Sequence, residues 1–285
     1  MSKLKVSEIF YSAQGEGRFV GVPSVFLRTF GCNFTCGGFG MPRGTCSTER
    51  DEVKVELYNR YEDLPLVNTG CDSYASWDPR FKNLSPSYSV DELVAMMLKL
   101  TPNNHWVQAN GNDVHLVITG GEPLLGWQKS YAELLTHPFM AELKEITFET
   151  NGTQELSASF YNFLRGWVTQ DPEREITFSV SPKLSISGET HDEAIKPKIV
   201  AEYQDVGYTY LKFVVAHDTD ITEIERVVDE YRKEGFTGPV YLMPCGGVEQ
   251  VYGLNNRAVA EMAMREGYRY SDRLQVPLFK NEWGT

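Results

Sequence analysis

From residue 89 onward, short apolar runs alternate with amphipathic stretches, and that rhythm narrows the fold sharply. Ser89-Val90-Asp91-Glu92 is a capping-box pattern, in which the Ser and Glu side chains satisfy free amides at a helix start. Leu93, Met96, Met97 and Leu100 then supply an apolar stripe at helical spacing. Residues 115–119, 146–149, 176–180, 210–215 and 240–243 read as strands, with helical patterns over 131–135, 160–167, 222–233 and 255–265 between or after them. Gly235 and Gly267 stop the last two helices, and residues 273–276 read as a final strand. This alternation predicts an α/β fold, a parallel sheet of crossover units that is open or curled toward a barrel. In such sheets the site lies at the carboxyl ends of the strands. That rule selects Cys32, Gly120-Gly121-Glu122, Asn151, Ser181-Pro182-Lys183 and Pro244-Cys245.

The N-terminal part carries the soft ligands. An apolar run over residues 23–30 delivers Gly31-Cys32-Asn33-Phe34-Thr35-Cys36, two thiols three residues apart on a loop. Before it, Gln14-Gly15-Glu16-Gly17 has glycines at alternate positions, which suggests backbone approaching something closely; an ordinary hairpin loop is the plain alternative. Residues 37–70 break the pattern with turn-rich and charge-dense sequence, an inserted excursion that ends at Asn68-Thr69-Gly70-Cys71-Asp72-Ser73.

Composition bounds the function. The chain has 285 residues, 41% apolar and 23% charged, enough for one large α/β domain or two smaller ones. A net charge of −12 argues against nucleic-acid or anionic-membrane partners, which need surplus Lys and Arg, and leaves a small-molecule substrate as the simpler expectation. No run of about 18 apolar residues and no signal-peptide core are present, so a cytoplasmic location is expected. In that reducing setting the five cysteines call for metal ligation or plain burial. A close pair alone fits a zinc site, an iron–sulfur cluster or neither. The histidines are scattered and match no ligand spacing.

The order of motifs is more specific. A strand ending in C-x3-C, followed by Ile118-Thr119-Gly120-Gly121-Glu122-Pro123, resembles the radical S-adenosylmethionine (SAM) enzymes. Ser7-Glu8-Ile9-Phe10-Tyr11-Ser12-Ala13-Gln14-Gly15-Glu16-Gly17 and Gly21-Val22-Pro23-Ser24-Val25-Phe26-Leu27-Arg28 are similar to the opening of the 7-carboxy-7-deazaguanine synthase family. Phe148-Glu149-Thr150-Asn151-Gly152-Thr153, Ser181-Pro182-Lys183, Leu211-Lys212-Phe213-Val214-Val215, Arg273-Leu274-Gln275-Val276 and the closing segment continue the match in the same order.

The resemblance implies a single partial (β/α) barrel of the radical SAM type over residues 1–285, with 37–70 inserted between the second and third cluster cysteines. It implies conversion of 6-carboxy-5,6,7,8-tetrahydropterin to 7-carboxy-7-deazaguanine with loss of ammonia, using a 4Fe-4S cluster, SAM and Mg2+, in queuosine-type biosynthesis. A homodimer and an external one-electron reductant, flavodoxin-like or ferredoxin-like, are implied with it. By matching position, Gln14, Glu16 and Arg28 would take part in catalysis, while Ala13, Gln14, Gly15, Arg28, Thr119 and Thr285 would meet the substrate. A guanidinium fork suits a planar carboxylate, which fits Arg28 to that group. Gly70, Cys71, Asp72, Gly121, Glu122, Asn151, Ser181, Pro182 and Lys183 would serve the cluster or SAM, with Glu122 an acceptor suited to the SAM ammonium.

The chain departs from the family at the third thiol. The family has C-x3-C-x2-C followed by Asp-Thr, but Phe39 stands where that thiol should fall. Cys46 and Cys71 are the candidates, and Cys71 is preferred because Asp72-Ser73 follows it; the cluster ligands would then be Cys32, Cys36 and Cys71, with Ser73 toward Mg2+. Closure entropy grows only logarithmically with loop length, so an added loop costs on the order of 1–3 kcal/mol. Cys245 would sit near SAM or be an inert buried thiol. Two other readings stay open, a radical SAM activase that installs a glycyl radical and a non-catalytic zinc module on Cys32, Cys36, Cys46 and Cys71.

Overall fold

The computed structural model describes residues 2–247 and 249–285, with residues 249–254 described by their backbone alone. The chain opens with β1 (Lys3–Ala13) and β2 (Pro23–Thr29), an antiparallel pair that sets Glu8 opposite Arg28. After the excursion come β3 (Ser87–Ser89), α1 (Val90–Leu100), β4 (His115–Gly120), α2 (Gln128–Leu135), β5 (Glu145–Thr150), α3 (Ala158–Thr169) and β6 (Glu175–Val180). The remainder runs α4 (His191–Ala194), α5 (Pro197–Tyr203), β7 (Tyr208–Val215), α6 (Asp220–Lys233), β8 (Val240–Pro244), α7 (Glu249–Glu266), β9 (Arg269–Tyr270) and α8 (Gln275–Phe279).

One sheet holds all nine strands in the order β3-β1-β2-β4-β5-β6-β7-β8-β9. It is parallel from β2 to β9, as the alternation predicts, and antiparallel where β1 meets β2 and β3. The parallel strands are buried on both faces, so β4 and β8 read as continuous apolar runs. Helix α1 starts where the capping box predicts: Ser89 Oγ accepts from the Glu92 amide, and the Glu92 carboxylate accepts from the Ser89 amide at 2.7 Å. Its inward face is Val90, Leu93, Val94 and Met97; Leu100, expected in the stripe, is exposed.

Residues 273–276 are not a strand. The last strand is β9, two residues long, and the chain then turns into α8. The alternation of Arg273-Leu274-Gln275-Val276 misleads because its polar side chains do not face solvent: Arg273 and Gln275 are drawn inward onto carboxylates. This turn also closes the open side of the sheet. The Leu274 amide donates to the Gly15 carbonyl at 2.9 Å and the Gly17 amide to Ser271 Oγ at 2.9 Å, so the loop after β1 meets the segment after β9. The glycines make that approach possible, since a Cβ on Gly15 would fall 1.8 Å from Gln275 Oε1, and one on Gly17, whose φ is +67°, 2.1 Å from the Tyr210 hydroxyl. The β1–β2 loop is thus both the hairpin connection and a close backbone contact.

The excursion has no long element, only single helical turns at Glu49–Glu52, Val55–Leu57 and Tyr61–Asp63. Its ends meet: the Gly70 amide donates to the Phe39 carbonyl at 2.7 Å and the Ser47 amide to the Gly37 carbonyl at 2.8 Å. A small apolar cluster of its own, Tyr61, Leu64 and Val67 with Tyr74, Ala75 and Phe81, lies apart from the main core.

Candidate active site

A cavity of about 270 Å³ opens at the carboxyl ends of the parallel strands. Register explains why its walls converge. Arg28 pairs with Thr119 and Thr29 with Gly120 across β2 and β4, so the 31–36 loop lies against the Gly120-Gly121 turn. The Glu122 amide donates to the Gly31 carbonyl at 2.7 Å, and a Cβ on Gly121 would fall 2.6 Å from Cys32 Cβ. Only glycine fits there.

Cys32, Cys36 and Cys71 all border the cavity; Cys46 does not, and is exposed beside Gly37. The pairing of Phe39 with Gly70 is what returns Cys71 to the other two. Burial pushes the Cys32 thiol up to about 12 and raises Cys36 and Cys71 as well, so none of them sheds its proton to solvent alone. A cationic iron site changes that balance, because metal ligation deprotonates thiols outright. Two sulfurs already receive N–H donors, Cys32 from the Phe34 amide at 3.4 Å and Cys71 from Trp77 Nε1 at 3.3 Å, contacts of the kind that tune iron–sulfur clusters. Glu189 shapes the loop by accepting from the Thr35 amide at 2.9 Å and the Cys36 amide at 2.7 Å, where Cys36 takes a φ of +48°. Among the described residues no three His, Cys, Asp or Glu side chains converge on a point that could hold one metal ion. Three desolvated thiols bordering one cavity are the soft donors an iron–sulfur cluster would take.

The same cavity is also lined by a lattice of charges. Lys212, 2% exposed, donates to Glu16 Oε2 at 2.6 Å and Glu149 Oε2 at 3.0 Å. Glu149 Oε1 accepts from Gln14 Nε2 at 3.2 Å, and Glu16 Oε1 accepts from Gln275 Nε2 at 2.9 Å and Arg273 Nε at 3.2 Å. Arg273 reaches on to Asp72 Oδ2 and the Gly246 carbonyl, each at 2.6 Å. Burial alone would raise the Glu16 carboxyl, but Lys212 and Arg273 beside it hold it down to about 2. Burial likewise works against charge on Lys212, and the Glu149 and Glu16 carboxylates overcome it, keeping the ammonium charged. Arg28 is fixed through Nε to Glu8 Oε2 at 2.7 Å, with Nη1 3.4 Å from Ser73 Oγ.

No family model matches the chain. A 7-carboxy-7-deazaguanine synthase of Halobacterium salinarum is 32% identical over 298 aligned positions, covering 98% of this chain and 91% of the relative. The chain belongs to the 7-carboxy-7-deazaguanine synthase family. Synthases of Pyrobaculum aerophilum and Rhodopirellula baltica are 30% and 29% identical over 99% and 100% of the chain. The solved structure of QueE from Escherichia coli shares the fold, with a TM-score of 0.52 and 20% identity over 94% of this chain and 93% of that one.

Set against what the synthase family implies, nearly every residue singled out from the sequence borders the one cavity, from Ala13, Gln14, Gly15 and Glu16 to Ser181, Lys183 and Thr285. Glu122 and Pro182 do not. Glu122 is fully buried, and its carboxylate accepts from the amides of Leu124 and Asn151 and from the Thr150 hydroxyl. These bonds tie it to the turn. Asn151 links strand end to thiol loop by donating to Asn33 Oδ1 at 2.9 Å, and Cys245 borders the cavity too. The sequence reading assigned no role to Glu149, Glu189, Lys212, Arg273 or Gln275. Lys212 could have been found, since a lysine inside the apolar run Tyr210-Leu211-Lys212-Phe213-Val214-Val215 must be paired to be buried.

Proposed function

We propose that the chain is a radical SAM carbon–nitrogen lyase that contracts the ring of 6-carboxy-5,6,7,8-tetrahydropterin to 7-carboxy-7-deazaguanine with loss of ammonia. The observation that carries this reading is a cavity bordered both by three desolvated thiols and by a hydrogen-bonding charge lattice. Cys32, Cys36 and Cys71 would hold a 4Fe-4S cluster, with Gly121, Asn151, Ser181 and Lys183 around SAM. The bound cluster and SAM supply the one-electron chemistry.

The protein's own part is recognition and proton control. Lys212 keeps Glu16 ionised and anchors Glu149 by a hydrogen bond, so that they and Gln14 offer fixed acceptors and donors to a ring rich in N–H and C=O groups. Arg28 would take the substrate carboxylate on its outer nitrogens, with Ala13, Gly15, Thr119 and Thr285 along the cavity wall. Ser73 and Asp72 offer the hard oxygens suited to Mg2+. Residues 1–285 form one domain with 37–70 inserted, working in the cytoplasm as a homodimer with a flavodoxin-like or ferredoxin-like reductant. Among the described residues no helix is long and apolar enough to cross a membrane.

The test is mass spectrometry of the anaerobically reconstituted enzyme with 6-carboxytetrahydropterin, SAM, Mg2+ and a reductant. The deazaguanine product is expected. SAM cleavage without pterin turnover would favour the activase reading, and colourless protein with stoichiometric zinc the zinc module.

A further inference from the structure

Five residues near the chain's end, 281–285, border the cavity, yet little in their own sequence holds them there. Their backbone bonds are local, Asn281 to the Gln275 carbonyl and Glu282 to the Phe279 carbonyl, both at 3.1 Å, after Lys280 and Asn281 have turned through left-handed φ values of 55° and 57°. A short turn of this kind does not order itself, because each fixed residue costs on the order of 1–2 kcal/mol of backbone entropy.

The long-range anchor is Trp283, and its receiver is the excursion. Trp283 Nε1 donates to the Leu64 carbonyl at 2.7 Å across 219 residues of chain. Its ring meets Tyr61 edge-on at 4.9 Å and Tyr74 at 6.0 Å, inside the small cluster that the excursion builds. Next to it the Gly284 amide faces the Glu8 carboxyl, which burial raises and this amide only partly offsets, and Glu8 is the group that fixes Arg28. Leu66, Val67 and Asn68 of the excursion border the same cavity.

We propose that the excursion is a socket for Trp283, and that by seating this side chain it sets residues 281–285 as a wall of the pterin end of the cavity. Trp283 is then a positioning residue for substrate. The inference rests on the pterin reading for its consequence and on geometry for the clamp, and the two are measured separately.

In substrate-free protein, Trp283→Ala speeds amide hydrogen exchange of the peptide covering 279–285 by about tenfold, equivalent to about 1.4 kcal/mol. It raises the pterin KM by about tenfold, while kcat and iron per chain change less than twofold. Tyr61→Ala acts in the same direction, and the double variant is no worse than Trp283→Ala, because both break one contact. Trp283→Phe, which keeps a ring and loses the donor, lies between. Unchanged exchange or unchanged KM in Trp283→Ala overturns the proposal, as does strict additivity in the double variant. A wild-type protein that turns over no pterin overturns the functional reading instead, and the exchange data still decide the clamp.

Discussion

Cys71 and Cys46 differ in their surroundings: Cys71 is half-buried and borders the cavity with a Trp77 donor on its sulfur, and Cys46 is exposed away from it. Replacing each by Ala therefore has opposite outcomes. Cys71→Ala loses the cluster on anaerobic reconstitution, with iron per chain falling several-fold, whereas Cys46→Ala keeps both iron and visible absorption. Iron analysis and absorption spectra check this, and loss of iron with Cys46→Ala alone would move the third ligand. At this scale the residue types with few uses were legible: the thiols Cys32, Cys36 and Cys71, the Gly120-Gly121 turn and Arg28 border one cavity. Glu122 is less legible, because a carboxylate after a glycine pair reads equally as ligand or as backbone clamp, and here it accepts from the amides of Leu124 and Asn151.

Strand β4 carries a second buried polar residue whose role is structural. His115 is fully buried, with Nδ1 3.0 Å from Ser24 Oγ, Nε2 2.8 Å from Thr147 Oγ1, and the Phe19 ring 4.3 Å away. Burial pushes its pKa from 6.5 down to about 3, so the fold holds it neutral while an unfolded chain protonates it. The stability that depends on neutral His115 is whole above pH 6.5 and drains as pH falls toward 3. Between pH 7 and pH 5 the wild type should lose about 2 kcal/mol that His115→Gln does not, at about 1.4 kcal/mol per unit below 6.5. Urea midpoints of the two proteins at both pH values measure it, and parallel slopes would refute it. The strands themselves were legible because both faces are covered and their sequences are rich in apolar and β-branched residues. β9 was not, since two residues carry no period, and the inward polar side chains of 273–276 imitated one.

For the whole molecule, the sheet is open in its hydrogen bonding yet shut by contacts between chain segments far apart, Gly15 with Leu274 and Gly17 with Ser271. No local pattern announces such closures, so the partial barrel was readable and the way it shuts was not. A cluster bound by Cys32, Cys36 and Cys71 would tie the β2 loop to the far end of the excursion in the folded state only. Reconstitution should then raise Tm by about 5 °C, following mass action with a ligand that favours the native chain. Anaerobic calorimetry of apo and loaded protein tests this, and equal Tm values at full iron would count against it. The wide separation of the closing contacts has a further consequence during synthesis. All three thiols leave the ribosome within the first 71 residues, while the walls that shelter them include Lys212, Arg273 and Trp283. The nascent chain therefore presents bare thiols long before it has a pocket, and iron delivered early would meet an unprotected loop. A cluster held by Cys32, Cys36 and Cys71 would have its full shelter only once both ends of the chain have met.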